Sequence, residues 1–274
     1  AMLEDYRRYP IGIQNFEQLR NNNCVYVDKT ELVYRLTHTD QVYFLSRPRR
    51  FGKSLLVSTL EAYFQGKKDL FRGLAMERLE QDWESYPVLH IDFSISKYLS
   101  AHYLRSAINW FLERWEREYG CCVEDKKGTP FSVRLGNVIE SAYKKTGKAV
   151  VVLVDEYDSP MLDTNSDVAL QGELRGIMRD FFSPLKGMGQ YLRFLFITGI
   201  SKFSQMSIFS ELNNLQNISM RDDFSAICGT PEEALAQIDS KQYAVPYQAD
   251  GRRVVKVGVN FDSATRTIGE WIVR

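Results

Sequence analysis

The chain has no apolar run near the ~20 residues that a membrane-crossing helix needs, and its 274 residues hold only four cysteines and three histidines. The first scarcity leaves nothing to span a bilayer, so no membrane partner is expected. Cys24, Cys121, Cys122 and Cys228 lack the paired spacing of a zinc site, and the adjacent Cys121 and Cys122 make a poor disulfide framework. Free thiols in a reducing, cytoplasmic location are the expectation. The start, Ala1-Met2-Leu3-Glu4-Asp5, carries no basic-then-apolar leader pattern, and Ala1 reads as an addition ahead of Met2. Charge of one sign is also missing in excess: lysine plus arginine number 35 and aspartate plus glutamate 35. The whole-chain charge therefore gives no electrostatic footprint for nucleic acid. No repeat or low-complexity stretch interrupts the chain. Its length and its hydrophobic share of 44% suit one large or two ordinary globular domains.

Against these absences stands one dense motif. The apolar run Val42-Tyr43-Phe44-Leu45 leads into Arg49-Arg50-Phe51-Gly52-Lys53-Ser54, the pattern of a strand entering a phosphate-binding loop. Backbone N–H groups of such a loop point at phosphate oxygens, its lysine reaches the terminal phosphates, and the next hydroxyl is a ligand for Mg²⁺. Residues 49–54, with Leu55 opening the following helix, are the candidate nucleotide-binding set, Lys53 doubling as a catalytic cation. The first glycine of the full pattern is absent, since Arg47 stands there followed by Pro48. Arg47, Arg49, Arg50 and Lys53 crowd four cations into seven positions. Neutralising bound phosphate is the favoured reading of them, pairing with surface acids the plainer one.

A second element makes the loop specific. About a hundred residues on, Ala149-Val150-Val151-Val152-Leu153-Val154 runs into Asp155-Glu156. An unbroken β-branched run suits a strand buried on both faces of a parallel sheet, and ligands bind at the carboxyl ends of such strands. Asp155 is placed to hold Mg²⁺ directly or through water, and Glu156 to polarise an attacking water, with Asp158 the next candidate base. The alternative for both is a solvated strand end.

The rest of the chain alternates strands and helices. A helix through Leu32, Val33 and Leu36 is expected to start at a capping box of Asp28 and Glu31. The loop feeds a helix from about Lys53 to Phe64, and Val88–Phe93 is a further strand, in which His90 reads as a core or sheet-face histidine. Helices are expected at 103–119, 133–145 and 170–182, and a buried strand at 192–199. Thr198, at the end of that strand, could sense a γ-phosphate as a catalytic side chain or satisfy the local turn. This rhythm predicts an α/β fold, a three-layer αβα sandwich with a parallel sheet.

Tyr9-Pro10-Ile11-Gly12, Tyr26-Val27-Asp28-Lys29-Thr30, residues 44–54, Val154-Asp155-Glu156-Tyr157-Asp158, residues 198–203 and Leu212-Asn213-Asn214-Leu215, in this order, resemble the signatures of the bacterial AAA-ATPase-like proteins that carry a PD-(D/E)xK-type nuclease domain at their C-terminus. That family also replaces the first loop glycine. The resemblance implies a P-loop domain over 1–229 that binds ATP and Mg²⁺, with Lys53, Ser54, Asp155 and Glu156 in the usual roles. Residues 230–274, through Pro231–Ile238, Tyr243 and Val254–Phe261, resemble the end of the nuclease domain. They imply DNA or RNA as a further partner, and a homo-oligomer is the implied assembly. No Glu-x-Lys at a strand end follows Gly229, so the metal-holding half of a nuclease is missing from the numbered chain. A break in covalent continuity is expected at Gly229-Thr230; without one, nuclease activity has been lost. ATP hydrolysis coupled to the nuclease-like segment is the leading expectation. A nucleotide-gated interaction module with little hydrolysis, or an ATP-regulated nuclease, is the alternative.

Overall fold

A computed structural model describes residues 10, 12–121, 123–164, 166–200, 208–210, 212, 214–219, 221–229, 257–262 and 267–273. The expected break at Gly229-Thr230 lies outside the described residues, because Thr230 is not among them. The 201–203 part of the Thr198 signature and the segment 231–256 fall outside as well.

The helices among the described residues are α1 (Phe16–Asn21), α2 (Thr30–Thr39), α3 (Lys53–Phe64), α4 (Ala75–Leu79), α5 (Ala101–Tyr119), α6 (Phe131–Thr146), α7 (Ser159–Leu162) and α8 (Val168–Phe182). The strands are β1 (Val42–Ser46), β2 (Val88–Asp92), β3 (Val150–Asp155), β4 (Leu192–Gly199), β5 (Gln216–Asn217), β6 (Val257–Asp262) and β7 (Thr267–Val273). The first five form one sheet in the order β2-β3-β4-β1-β5, with every neighbouring pair parallel. β6 and β7 pair antiparallel in a sheet of their own.

Burial explains why these segments became strands. β3 is buried at every position and β4 at all but its first two, as expected of apolar runs covered on both faces. Alternate side chains feed two separate cores. Phe44, Val152, Val154, Leu195 and Ile197 face α5, α6 and α8, where Ile108, Leu135, Ile139 and Met178 are buried with them. Tyr43, Leu45, Val151, Leu153, Phe194 and Phe196 face the other way, onto Leu56, Val57, Leu60 and Phe64 of α3 and Val33 and Leu36 of α2. The result is the αβα sandwich anticipated from the strand–helix rhythm.

One local expectation changes. α2 begins at Thr30 with Lys29 at the capping position and no side-chain cap of its own. Asp28 acts one residue earlier instead. Its Oδ1 accepts from the Thr30 N–H at 2.9 Å and from the Thr30 hydroxyl at 2.6 Å, and its Oδ2 accepts from the Ala75 N–H at 2.7 Å. The Thr30 hydroxyl in turn accepts from the Met76 N–H at 3.0 Å. Because one carboxylate serves the starts of both α2 and α4, the tertiary contact displaces the local capping box. His90 keeps its sheet-face reading and gains a partner, since Glu61 of α3 holds it on β2 at 2.9 Å. Burial lowers its basicity, but the bond to Glu61 and the charges of Glu61, Asp155 and Asp92 outweigh this and raise its pKa above the ordinary value.

The packing of α5 on α6 turns on a buried ion pair that periodicity alone does not reveal. Arg134 of α6 is fully buried. Its Nε and Nη2 donate to Glu116 of α5 at 2.7 and 2.8 Å, and its Nη1 donates to Asn109 at 2.7 Å. Desolvating both charges offsets most of their attraction, so the pair fixes how the helices meet more than it stabilises them. Deleting one partner is a different matter. Glu116→Ala is expected to lower unfolding free energy by about 3–5 kcal/mol, because it strands a buried guanidinium. The double variant Glu116→Leu/Arg134→Met should recover most of that loss in urea unfolding.

Candidate functional site

The carboxyl ends of β1, β3 and β4 lie side by side, and the candidate residues gather there. β4 sits between the other two, with Leu45 of β1 opposite Thr198, and Val154 of β3 opposite Ile197. The turn after β1 brings the Lys53 loop, the end of β3 brings Asp155 and Glu156, and the end of β4 inserts Thr198 between them.

The loop needs two backbone conformations that most residues avoid. Arg50 has φ +67° and Gly52 φ +77°. At Gly52 a Cβ would have space, its nearest neighbour being the Gly229 nitrogen at 3.9 Å. The glycine is thus required by its left-handed conformation and not by crowding. From Gly52 the chain enters α3 at Lys53, so the first N–H groups of the helix open toward the same end of the sheet. Arg49 and Arg50 are exposed, and Phe51, Ser54 and Leu55 are half-buried. Lys53 is only 4% exposed, and its Nζ donates to the Pro48 carbonyl at 3.0 Å. Burial pushes the Lys53 ammonium below its ordinary pKa, against the opposing pull of Glu156 and Asp155.

Arg47 departs from the cluster of four cations. It is buried, and its Nη1 donates to the main-chain carbonyls of Ser46 and Ser219. The residue in place of the first loop glycine therefore helps fasten the β5 end of the chain beside β1. Ser219 does the same from its own side, its hydroxyl accepting from the Ser46 N–H at 2.8 Å.

At the acidic end, Asp155 is 2% exposed. The Thr198 hydroxyl donates to its Oδ1 at 2.5 Å and accepts from the Glu156 N–H at 3.2 Å. The next N–H, of Tyr157, donates to the Thr198 carbonyl at 3.0 Å. Glu156 stands at φ +51°, an uncommon conformation for its type, and its Oε2 accepts from the Ser159 hydroxyl at 3.1 Å. Of the two readings of Thr198 from sequence, the structure shows the hydroxyl satisfying the local turn, and it also donates to the Asp155 carboxylate.

Asp158, named from sequence only as a fallback base, and Lys29 and Gly229, given no role there, also take part. Asp158 is buried, and its Oδ2 accepts from the Ile200 N–H at 3.0 Å, joining the ends of β3 and β4. Lys29 Nζ reaches the Cys228 carbonyl at 3.4 Å, while the Gly229 N–H donates to the Phe51 carbonyl at 3.1 Å, so the chain returns to the loop after β5. The only sequence hint of these contacts was the acidic doublet and its neighbours. Ser54 and Asp155 offer the hard oxygen donors that a divalent cation takes, and Lys53 with the loop N–H groups offers an anion site.

Gly199 has a role of contact. A methyl there would overlap Cε1 of Tyr157 and stand 2.5 Å from its Cδ1. Tyr157 is fully buried between Phe44 and Phe209 and has nowhere to move. Gly199→Ala is expected to destabilise the protein by about 1–3 kcal/mol, measured as a lowered midpoint of urea unfolding; an unchanged midpoint would contradict this packing.

Comparison with known proteins agrees with this geometry at the level of family. Residues 10–209 match the family described as predicted AAA-ATPase, and residues 211–271 match the PD-(D/E)XK nuclease superfamily. An uncharacterized protein from the vnfD 5′ region of Azotobacter chroococcum mcd 1 is 40% identical over 228 residues, which cover 82% of this chain. The match spans 43% of that relative's length. No solved structure matches. With most of its length under the first match and the loop, acidic strand end and Thr198 brought together at one end of a parallel sheet, the chain belongs to the predicted AAA-ATPase family, continued by a segment of the PD-(D/E)XK nuclease superfamily.

Proposed function

We propose that the site binds ATP with Mg²⁺ and hydrolyses the γ-phosphate. The observation that carries this reading is that a nearly buried lysine and a nearly buried aspartate come to the same end of the sheet, beside a loop whose glycine is left-handed. A buried ammonium and a buried carboxylate are costly unless a ligand of matching charge uses both. Lys53 exchanges the Pro48 carbonyl for phosphate oxygens. The N–H groups of residues 50–54 take the remaining oxygens, and the exposed Arg49 and Arg50 add positive charge at the rim. Ser54 and Asp155 would hold Mg²⁺, which when bound supplies charge neutralisation on the phosphates. Glu156, steadied by Ser159, accepts the proton of the attacking water, and Thr198 keeps Asp155 and the Glu156 backbone in register with the γ-phosphate. The preference for ATP over other triphosphates comes from the family and is part of the proposal.

The division of the chain at 229/230 is likewise proposed. Its support is that the described residues up to Gly229 are bonded to β1 or the Lys53 loop, through β5, Ser219 and the Phe51–Gly229 bond. Coupling of hydrolysis to a nucleic acid held by the C-terminal segment, and assembly into a homo-oligomer, extend the same reading.

Lys53→Ala is expected to abolish ATP binding in a calorimetric titration, since it removes the main point charge on the terminal phosphates. Unchanged affinity would sink the proposal. Glu156→Gln should bind ATP as the parent does while its steady-state phosphate release falls by about 10²–10⁴-fold. Parental turnover in that variant would move the base to another residue. Asp155→Ala should instead weaken the dependence of binding on Mg²⁺.

A further inference from the structure

The exposed face of α5 carries a feature that the nucleotide site does not use. Tyr103 and Trp110 are 45% and 48% exposed. They lie seven residues apart, two helical turns, so their rings project from one side of the helix about 10 Å apart along its axis. Arg114 and Arg117 continue the same stripe. The Arg114 guanidinium lies over the Trp110 ring, 4.6 Å from its centroid, which holds the indole in place while leaving about half the side chain open.

The charge balance of the helix sharpens this. α5 contains three arginines, Arg105, Arg114 and Arg117, and three glutamates, Glu113, Glu116 and Glu118. Two glutamates are engaged from outside the helix. Glu116 is buried against Arg134, and Glu113 meets Lys126 at 3.4 Å. The arginines form no ion pair among the described residues: Arg114 has its contact with Trp110, and Arg117 donates to the Glu113 carbonyl at 3.2 Å. At the C-terminal end of the helix Lys145 Nζ donates to the Glu118 carbonyl at 2.6 Å, bringing a further cation to the stripe. A helix neutral in sequence is thereby cationic on its solvent face.

We propose that this face of α5 binds single-stranded nucleic acid, the bases stacking on Trp110 and Tyr103 and the phosphates meeting Arg114, Arg117 and Lys145. Exposed rings interleaved with arginines outside any ion pair are the combination that such strands use, because every base has a stacking face and the backbone supplies the counter-charge. The arrangement differs from an ordinary solvated face in that two of its three acids are engaged from outside the helix, leaving Glu118 as the remaining exposed acid, while none of its arginines forms an ion pair among the described residues. The surface is separate from the Lys53 loop and does not depend on nucleotide being bound there.

The test is fluorescence anisotropy of a fluorescein-labelled oligothymidylate of about 12 nucleotides, titrated with the full chain at low salt and again at rising salt. Trp110→Ala is expected to weaken binding about tenfold or more, and Trp110→Phe, which keeps a ring, to restore part of it. Arg114→Gln/Arg117→Gln should weaken binding and flatten the logarithmic salt slope by about 0.7 for each phosphate no longer neutralised. The side chains are exposed, so circular dichroism and the unfolding midpoint should stay at parental values in all three. No binding by the parent, or parental binding in both Trp110→Ala and the double arginine variant, would overturn the proposal, whatever the C-terminal segment contributes. Polyglutamate that binds as tightly, is released by the double arginine variant and is indifferent to Trp110→Ala would also overturn it, in favour of an acidic protein segment.

Discussion

The hydroxyl of Thr198 is the contact on which the carboxyl end of the sheet depends. It donates to Asp155 and accepts from the Glu156 backbone, and the carbonyl of the same residue accepts from Tyr157. One side chain at the end of β4 thereby sets the carboxylate, the left-handed backbone of Glu156 and the course of the chain into α7. On its other side β4 pairs with β1, and the Gly199 carbonyl accepts from the Arg47 N–H at 3.1 Å where the Lys53 loop begins. The two halves of the site never touch through adjacent strands. They are referred to each other through β4, and the absence of a side chain at Gly199 lets Tyr157 close the gap beneath them.

This arrangement explains what the amino-acid sequence made legible. β1, β3 and β4 are continuous apolar runs because both faces of the sheet are covered; α5, α6 and α8 carry apolar residues at helical spacing because one face of each is buried, while α3 is covered nearly all round. Those signals are local, and so the loop, the acidic strand end and the order of elements could be read before any contact was known. The contacts that could not be read join residues distant in sequence. Asp28 looked like the cap of its own helix and also serves Ala75. Arg47 looked like one cation of a phosphate cluster and holds Ser219. In each case a polar side chain was assigned to its sequence neighbours, whereas its partner comes from another element. β5 is two polar residues long, Gln216 and Asn217, and offers no apolar run to detect.

The passage from residue 210 to Gly229 bears on how the two matched families meet. The superfamily match of the C-terminal segment begins at 211, yet β5 pairs with β1, Ser219 bonds Ser46, and Gly229 bonds Phe51 beside the loop. Gln216, Asn217, Ser219 and Gly229 are thus bonded to the first sheet or to the loop that follows β1. The Phe51–Gly229 bond ties the end of this passage to the Lys53 loop.

The central claim is that Lys53, the loop N–H groups and Asp155 form one triphosphate site. Amide hydrogen exchange with and without ATP and Mg²⁺ tests it most directly, because it locates the ligand without presupposing hydrolysis. The account predicts that peptides covering residues 50–56 and 155–157 slow together on addition of both, and that the effect shrinks when Mg²⁺ is withheld. Protection confined to other parts of the chain, or none at saturating ATP, would contradict it.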